Sequence, residues 1–205
     1  MIGDEPDAVV FDLDGVLVDS RLAFTASVNA ALQEFGRRPR PPEELYRFLG
    51  PPTYEAFEEL LGNRGPVVDE AVEAYRRRYR RMAATESAPF DGVPEMLETL
   101  ERKLPLVVAT SKPQEIAGKL LEDLHLRHYF RAVIGPDLTA RNEPKAETLE
   151  RALDLLPNEC MTPVMVGDRW YDIVAAKEHD IASIGVLWGI GDEDELLGAK
   201  ADVLV

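Results

Sequence analysis

The chain carries six short apolar runs, rich in valine or isoleucine and bounded by turn residues. They are Ala8–Asp12, Leu106–Thr110, Ala132–Gly135, Val164–Gly167, Ala182–Leu187 and Asp202–Val205. The runs do not alternate apolar with polar residues, so each reads as a strand buried on both faces. Helical patterns over Pro113–Leu124, Pro144–Leu156 and Tyr171–His179 separate several of them. Two of these helices open on proline, where a missing N–H costs least. Strand and helix repeated in this way predict an α/β fold, a doubly wound parallel sheet with helices on both faces.

The stretch from about Asp19 to Ala88 breaks that rhythm. Phe24, Val28, Ala31 or Leu32, and Phe35 share one helical face over Arg21–Phe35, and Gly36 follows as a stop. Tyr54–Leu61 and Val67–Met82 read as further helices. A helical insert of roughly 70 residues therefore lies between the first two sheet strands, far longer than an ordinary crossover. Val16–Ser20 and Ala88–Gly92 are its expected connections.

The 205 residues suffice for a sizeable core, and the net charge is −15. A field of that sign argues against a nucleic-acid partner. It also means that an anionic substrate needs local cations to draw it in. The single cysteine, Cys160, permits no internal disulfide. The opening MIGDEPDAVVFDLDG has an acidic start and a short apolar run, unlike a signal peptide. No stretch reaches the ~20 apolar residues of a membrane span. The expectation is a cytoplasmic protein with no membrane partner.

Four polar motifs stand at the carboxyl ends of expected strands, the edge where open parallel sheets bind ligands. The first is Asp12-Leu13-Asp14-Gly15. Two carboxylates so close repel unless a cation lies between them or one holds a proton. An ionised carboxylate can attack phosphorus, and a protonated one can donate to a leaving oxygen. The plain alternative is an Asp-Gly turn. The second motif is Thr110-Ser111-Lys112-Pro113, whose hydroxyls can bind phosphate or simply cap a helix. The third is Lys145, in the first turn of a helix whose dipole disfavours a cation. It either faces an anion or pairs with Glu143 or Glu147. The fourth runs from Gly167 through Asp168 to Asp172. These carboxylates suit a hard cation such as Mg²⁺, or serve as an N-cap and a first-turn acid. Together the motifs supply the parts for metal-assisted phosphoryl transfer.

These residues resemble the haloacid dehalogenase superfamily of phosphatases. Its pattern is DxDG[TV], an apolar strand ending in Thr or Ser, a lysine, then GDxxxD. Asp12 to Val16, Val107 to Ser111, Lys145, and Gly167 to Asp172 match in that order. The resemblance implies a Rossmann-like core from residues 1–17 and 89–205, with a helical cap over 18–88. Gly50-Pro51-Pro52 and Arg141–Glu147 are similar to the phosphoglycolate phosphatase-like and 5′-nucleotidase-like branch. The implied nucleophile is Asp12 and the implied acid–base is Asp14, whose backbone carbonyl would also touch the metal. Mg²⁺ would be held by Asp12, Asp14, Asp168 and Asp172. Thr110 and Lys145 would steady the phosphoryl group, with Gly15, Ser111 and Lys112 as further contacts. The family places Lys and Pro together at the third motif, whereas here Pro144 precedes Lys145.

A cap that selects substrate through Thr53 and Tyr54 is a further expectation. The implied partner is a small phosphomonoester; monomer and dimer both stay open. A phosphosugar mutase of the same superfamily and a phospho-Asp receiver are the alternatives. Asp14 and the helical insert fit the receiver poorly. The run Arg76–Arg78 with Arg80 and Arg81 is expected on a solvated helix face, Trp170 is expected to pack, and the three histidines are expected to be ordinary surface or satisfied residues.

Overall fold

The computed structural model describes residues 5–205, so part of the acidic start lies outside the described residues. Strand β1 (Ala8–Phe11) is buried along its whole length. Ala8 and Val10 face one apolar cluster while Val9 and Phe11 face another, which is why its sequence does not alternate. β2 (Val18–Asp19) leads into α1 (Arg21–Glu34), α2 (Pro42–Leu45), α3 (Thr53–Leu61) and α4 (Pro66–Glu86). β3 (Ala88–Pro89) and α5 (Val93–Leu100) return the chain to the sheet. Then follow β4 (Leu106–Ala109), α6 (Gln114–Asp123), β5 (Ala132–Ile134), α7 (Lys145–Leu153), β6 (Pro163–Gly167), α8 (Trp170–Glu178), β7 (Ala182–Gly185), α9 (Glu193–Gly198) and β8 (Val203–Leu204).

Six strands form one parallel sheet in the order β5-β4-β1-β6-β7-β8, with helices on both faces. The expected doubly wound α/β class is borne out. The order turns back at β1, which has β4 on one side and β6 on the other. The carboxyl ends of these three strands therefore border the crevice where such sheets bind ligands.

All six expected strands are present, each within two residues of its expected bounds. The two connections of the helical segment pair with each other, Val18 with Pro89 and Asp19 with Ala88, in antiparallel register. Two-residue strands, one of them holding a proline, carry no periodic signal. The sequence pattern likewise announced neither α5 nor α9. Among the helices between β2 and β3, α1 packs on α4 through Phe24 and Tyr75, whose rings meet edge-on at 5.9 Å. Phe57 of α3 and Tyr79 of α4 extend this aromatic row. Burying each such ring is worth about 2–3 kcal/mol, enough to hold three helices together.

The arginine run departs from expectation. Arg77, Arg80 and Arg81 are exposed, but Arg76 is buried, with 4 % of its surface accessible. It falls on the stripe of Val72, Tyr75, Tyr79 and Ala83, which helical spacing turns inward. No helix among the described residues is long and apolar enough to cross a membrane.

Candidate functional site

Four carboxylates and two ammonium groups converge where β1, β4 and β6 end. Asp12 directly follows β1, and its N–H donates to Val166 O at 2.9 Å, which extends the ladder and fixes the residue. Its Oδ1 accepts a hydrogen bond from Lys145 Nζ at 2.6 Å. Lys145 Nζ also lies 2.8 Å from Asp172 Oδ1. All three side chains are buried. Lys145 thus meets Asp12 and Asp172; Glu143 bonds instead to Thr148 and Arg151. This resolves the anomaly of a lysine in the first turn of α7, since two anions face it.

Asp14 is held apart from this group. Lys112 Nζ lies 2.5 Å from each of its oxygens, and Ser20 Oγ donates to Oδ1 at 2.5 Å. The repulsion expected between Asp12 and Asp14 is therefore offset by two separate lysines. The Asp14 carboxylate is not in the acidic cluster, and Lys112 is paired with it. Thr110 is buried at the end of β4, and its Oγ1 accepts from Lys112 N at 3.2 Å.

Asp168 follows β6 but does not cap α8. Arg169 is the N-cap, and Asp172 Oδ2 accepts from its N–H at 3.2 Å. That leaves Asp168 free to turn toward β1. Its Oδ2 accepts from Ile190 N at 2.7 Å, while its buried Oδ1 has no partner among the described residues. Gly15 makes the approach possible. It sits at φ +87°, and a Cβ there would collide with the Asp168 carboxylate. A Cβ on Gly189 would do the same. That second glycine was not foreseen, although the spaced glycines Gly189 and Gly191 after β7 were a visible signal.

Asp12, Asp168 and Asp172 each offer an oxygen within 4.8 Å of the others. Hard oxygen donors, one of them orphaned, fit a divalent cation of the Mg²⁺ type. Burial pushes the Asp12 carboxyl up to about 7; Lys145 opposes that rise and Asp172 adds to it. Burial, then the charges of Asp172 and Asp12, raises Asp168 well above the usual carboxylate range. Burial alone would lower the Lys145 ammonium, but Asp12 and Asp172 outweigh it and raise it. Such crowding of acids is relieved by protonation, which these raised values express, or by a bound cation.

Thr53, Ser111 and Lys112 line the recess that holds Asp12, Asp14 and Thr110, together with Arg76 and Tyr79. A second cavity of about 490 Å³ opens beside it, lined by Thr53, Tyr54, Arg76, Arg141, Trp170 and Tyr171 among others. The two share Gly50, Pro51, Thr53, Arg76, Ser111 and Pro113. Trp170 is half exposed on the cavity wall, where packing was expected; it precedes the buried face of α8. Two contacts tie the helices between β2 and β3 to the 135–144 loop: Arg141 with Asp69, and Asn142 Nδ2 with Glu55 Oε1 at 3.1 Å. Arg169 adds a bond to Leu49 O at 3.2 Å. His125 and His128 lie on the surface, and His179 is half-buried; none joins the site.

Residues 9–186 match the model of the haloacid dehalogenase-like hydrolase family. The chain belongs to that family. A 5′-nucleotidase of Pseudomonas aeruginosa is 38 % identical over 92 % of this chain and 86 % of its own. A phosphoglycolate phosphatase of Neisseria gonorrhoeae is 30 % identical over 90 % of this chain and 81 % of its own. The solved structure of a haloacid dehalogenase-like family hydrolase from Streptococcus pneumoniae superposes with a TM-score of 0.86 at 28 % identity, covering 97 % of this chain and 93 % of that one. The chain is thus an enzyme of this hydrolase family and of the phosphatase kind, as its motifs led us to expect.

Proposed function

We propose that this hydrolase is a Mg²⁺-dependent phosphatase of small phosphomonoesters, working in the cytoplasm through an aspartyl-phosphate on Asp12. The observation that carries the reading is the buried Asp12–Lys145–Asp172 triad beside the orphaned oxygen of Asp168. When bound, Mg²⁺ supplies the charge that keeps Asp12 ionised and draws density from the phosphoryl oxygens. Asp168 and Asp172 would hold it, together with Asp12 and the backbone carbonyl of Asp14.

Asp12 forms a bond to phosphorus as the ester P–O bond breaks, and Asp14 gives its proton to the leaving oxygen. Water then attacks the phosphorus of the acyl phosphate and returns a proton to Asp14; the Asp12–phosphorus bond breaks and orthophosphate leaves. Lys145 keeps Asp12 aligned and screens its approach to an anionic ester. Thr110 and Ser111 receive the phosphoryl oxygens. A phosphoryl dianion entering there competes with Asp14 for the Lys112 ammonium, which frees Asp14 to take up a proton. Residues 18–88 act as a cap that excludes bulk water during attack.

Phosphoglycolate and nucleoside 5′-monophosphates are the leading substrates, supported by the names of the relatives above. Phosphate release from a panel of monoesters with Mg²⁺, beside Asp12→Asn and a chelated sample, tests the reading. Turnover is expected to vanish in both controls. Full activity in either overturns it, and a requirement for a bisphosphate activator would favour the mutase.

A further inference from the structure

Arg76 is a buried cation that the proposed chemistry leaves unused. Its side chain is 5 % accessible. A guanidinium presents five N–H donors. Among the described residues it makes one side-chain hydrogen bond, Nη1 to Glu73 Oε1 at 2.9 Å, and that carboxylate stands half in solvent. Its other donors are not sealed off, because Arg76 lines both the catalytic recess and the outer cavity. Lys145 and Lys112 are already matched by Asp12 and Asp14. Arg76 has no such buried counterpart.

Tyr54 fixes the geometry. Its ring lies 5.4 Å from the Arg76 guanidinium carbon, and 4.8 Å from that of Arg141. Two guanidinium groups thus stand against one aromatic ring, Arg141 paired with Asp69 and Arg76 without a buried acid, in a cavity whose wall also carries Glu55, Glu143 and Glu178. A buried, under-paired guanidinium is costly unless an anion visits it. The planar fork suits an oxyanion that it can grip with two N–H groups.

We infer that Arg76, steadied by Tyr54, is a receptor for a second oxyanion on the leaving group, a carboxylate or a second phosphate. The inference rests on the phosphatase reading and narrows it to esters with two anionic ends. Arg76 is then a specificity residue, and nucleoside monophosphates, which lack a second anion, are poorer substrates.

The test compares kcat/KM for 2-phosphoglycolate, for ethyl phosphate, where a methyl group replaces the carboxylate, and for ethylene glycol bisphosphate. The wild type is expected to favour one or both doubly anionic esters, and which one identifies the anion. Arg76→Gln should erase about 10- to 100-fold of that preference, mainly in KM, and leave ethyl phosphate unchanged. Arg76→Lys should recover part of it. Calorimetric binding of the same esters to Asp12→Asn reads the receptor without turnover, so a failure of the catalytic reading stays separable. Thermal melting checks the fold. If Arg76→Gln does not fold, Tyr54→Leu takes its place, with a smaller loss confined to the doubly anionic esters. No wild-type preference for a second anion, or an equal loss on all three esters, overturns the inference.

Discussion

Replacing Lys145 by alanine removes the one ammonium shared by Asp12 and Asp172. At an effective dielectric near 20, a unit pair at 2.6 Å or 2.8 Å is worth roughly 6 kcal/mol, so the gross attraction is about 12 kcal/mol. Desolvation of the buried groups consumes most of this, and breaking such an arrangement costs about 3–5 kcal/mol net. The sign of its pH dependence follows from Asp12. Its carboxyl ionises in the folded protein at about 7, above its unfolded value, so the metal-free protein loses stability as pH rises toward 7. Without Lys145 that folded value rises further. Below pH ~7 Asp12 is neutral in both proteins, and its charge adds nothing to the gap between them. Above it the wild type ionises and the variant does not, so the gap widens by about 1.4 kcal/mol per pH unit. Urea unfolding with a chelator, at acid and at alkaline pH, measures this directly. Steady-state phosphate release with Mg²⁺ should fall roughly 10²- to 10⁴-fold if the same energy is lost from the transition state. A gap under about 1 kcal/mol that stays flat with pH refutes the reasoning, because Lys145 would then not be the counter-charge of the buried acids.

Three further outcomes follow from single contacts. Gly15→Ala sets a Cβ against Asp168 at a positive φ, so Mg²⁺ affinity measured by calorimetry should drop at least about 10-fold while secondary structure by circular dichroism is kept. Asp69→Ala combined with Asn142→Ala removes two exposed ties to the 135–144 loop, and should change KM by less than about 5-fold without altering the melting temperature. Burial raises the Asp202 carboxyl, but hydrogen bonds from Ser183 outweigh it and hold it below its usual value. Asp202→Asn should therefore lower the melting temperature at neutral pH, and the difference should vanish as acid protonates the wild-type group.

The sheet was legible because both faces of each strand are covered, and such strands must be apolar throughout. The positions of Asp12, Thr110 and Asp168 followed, since a polar residue after such a run stands at the sheet edge. Lys145 was legible as an anomaly, a cation at the wrong end of a helix dipole. Arg76 was misjudged because an arginine run suggests solvent, although its spacing from Val72 and Tyr79 turned it inward. α8 begins within one residue of its expected start at Tyr171, but Arg169 caps it, which leaves Asp168 for the site.

Sequence alone therefore determined the class of fold and which chemical groups reach one edge of it, because hydrophobic periodicity and turn chemistry act over a few residues. Tertiary structure decided the pairings: Lys145 with Asp12 across 133 positions, Lys112 with Asp14 across 98, and Arg76 on the wall between recess and cavity. The order in which strands assemble selects such partners, and charge complementarity by itself would have allowed many others.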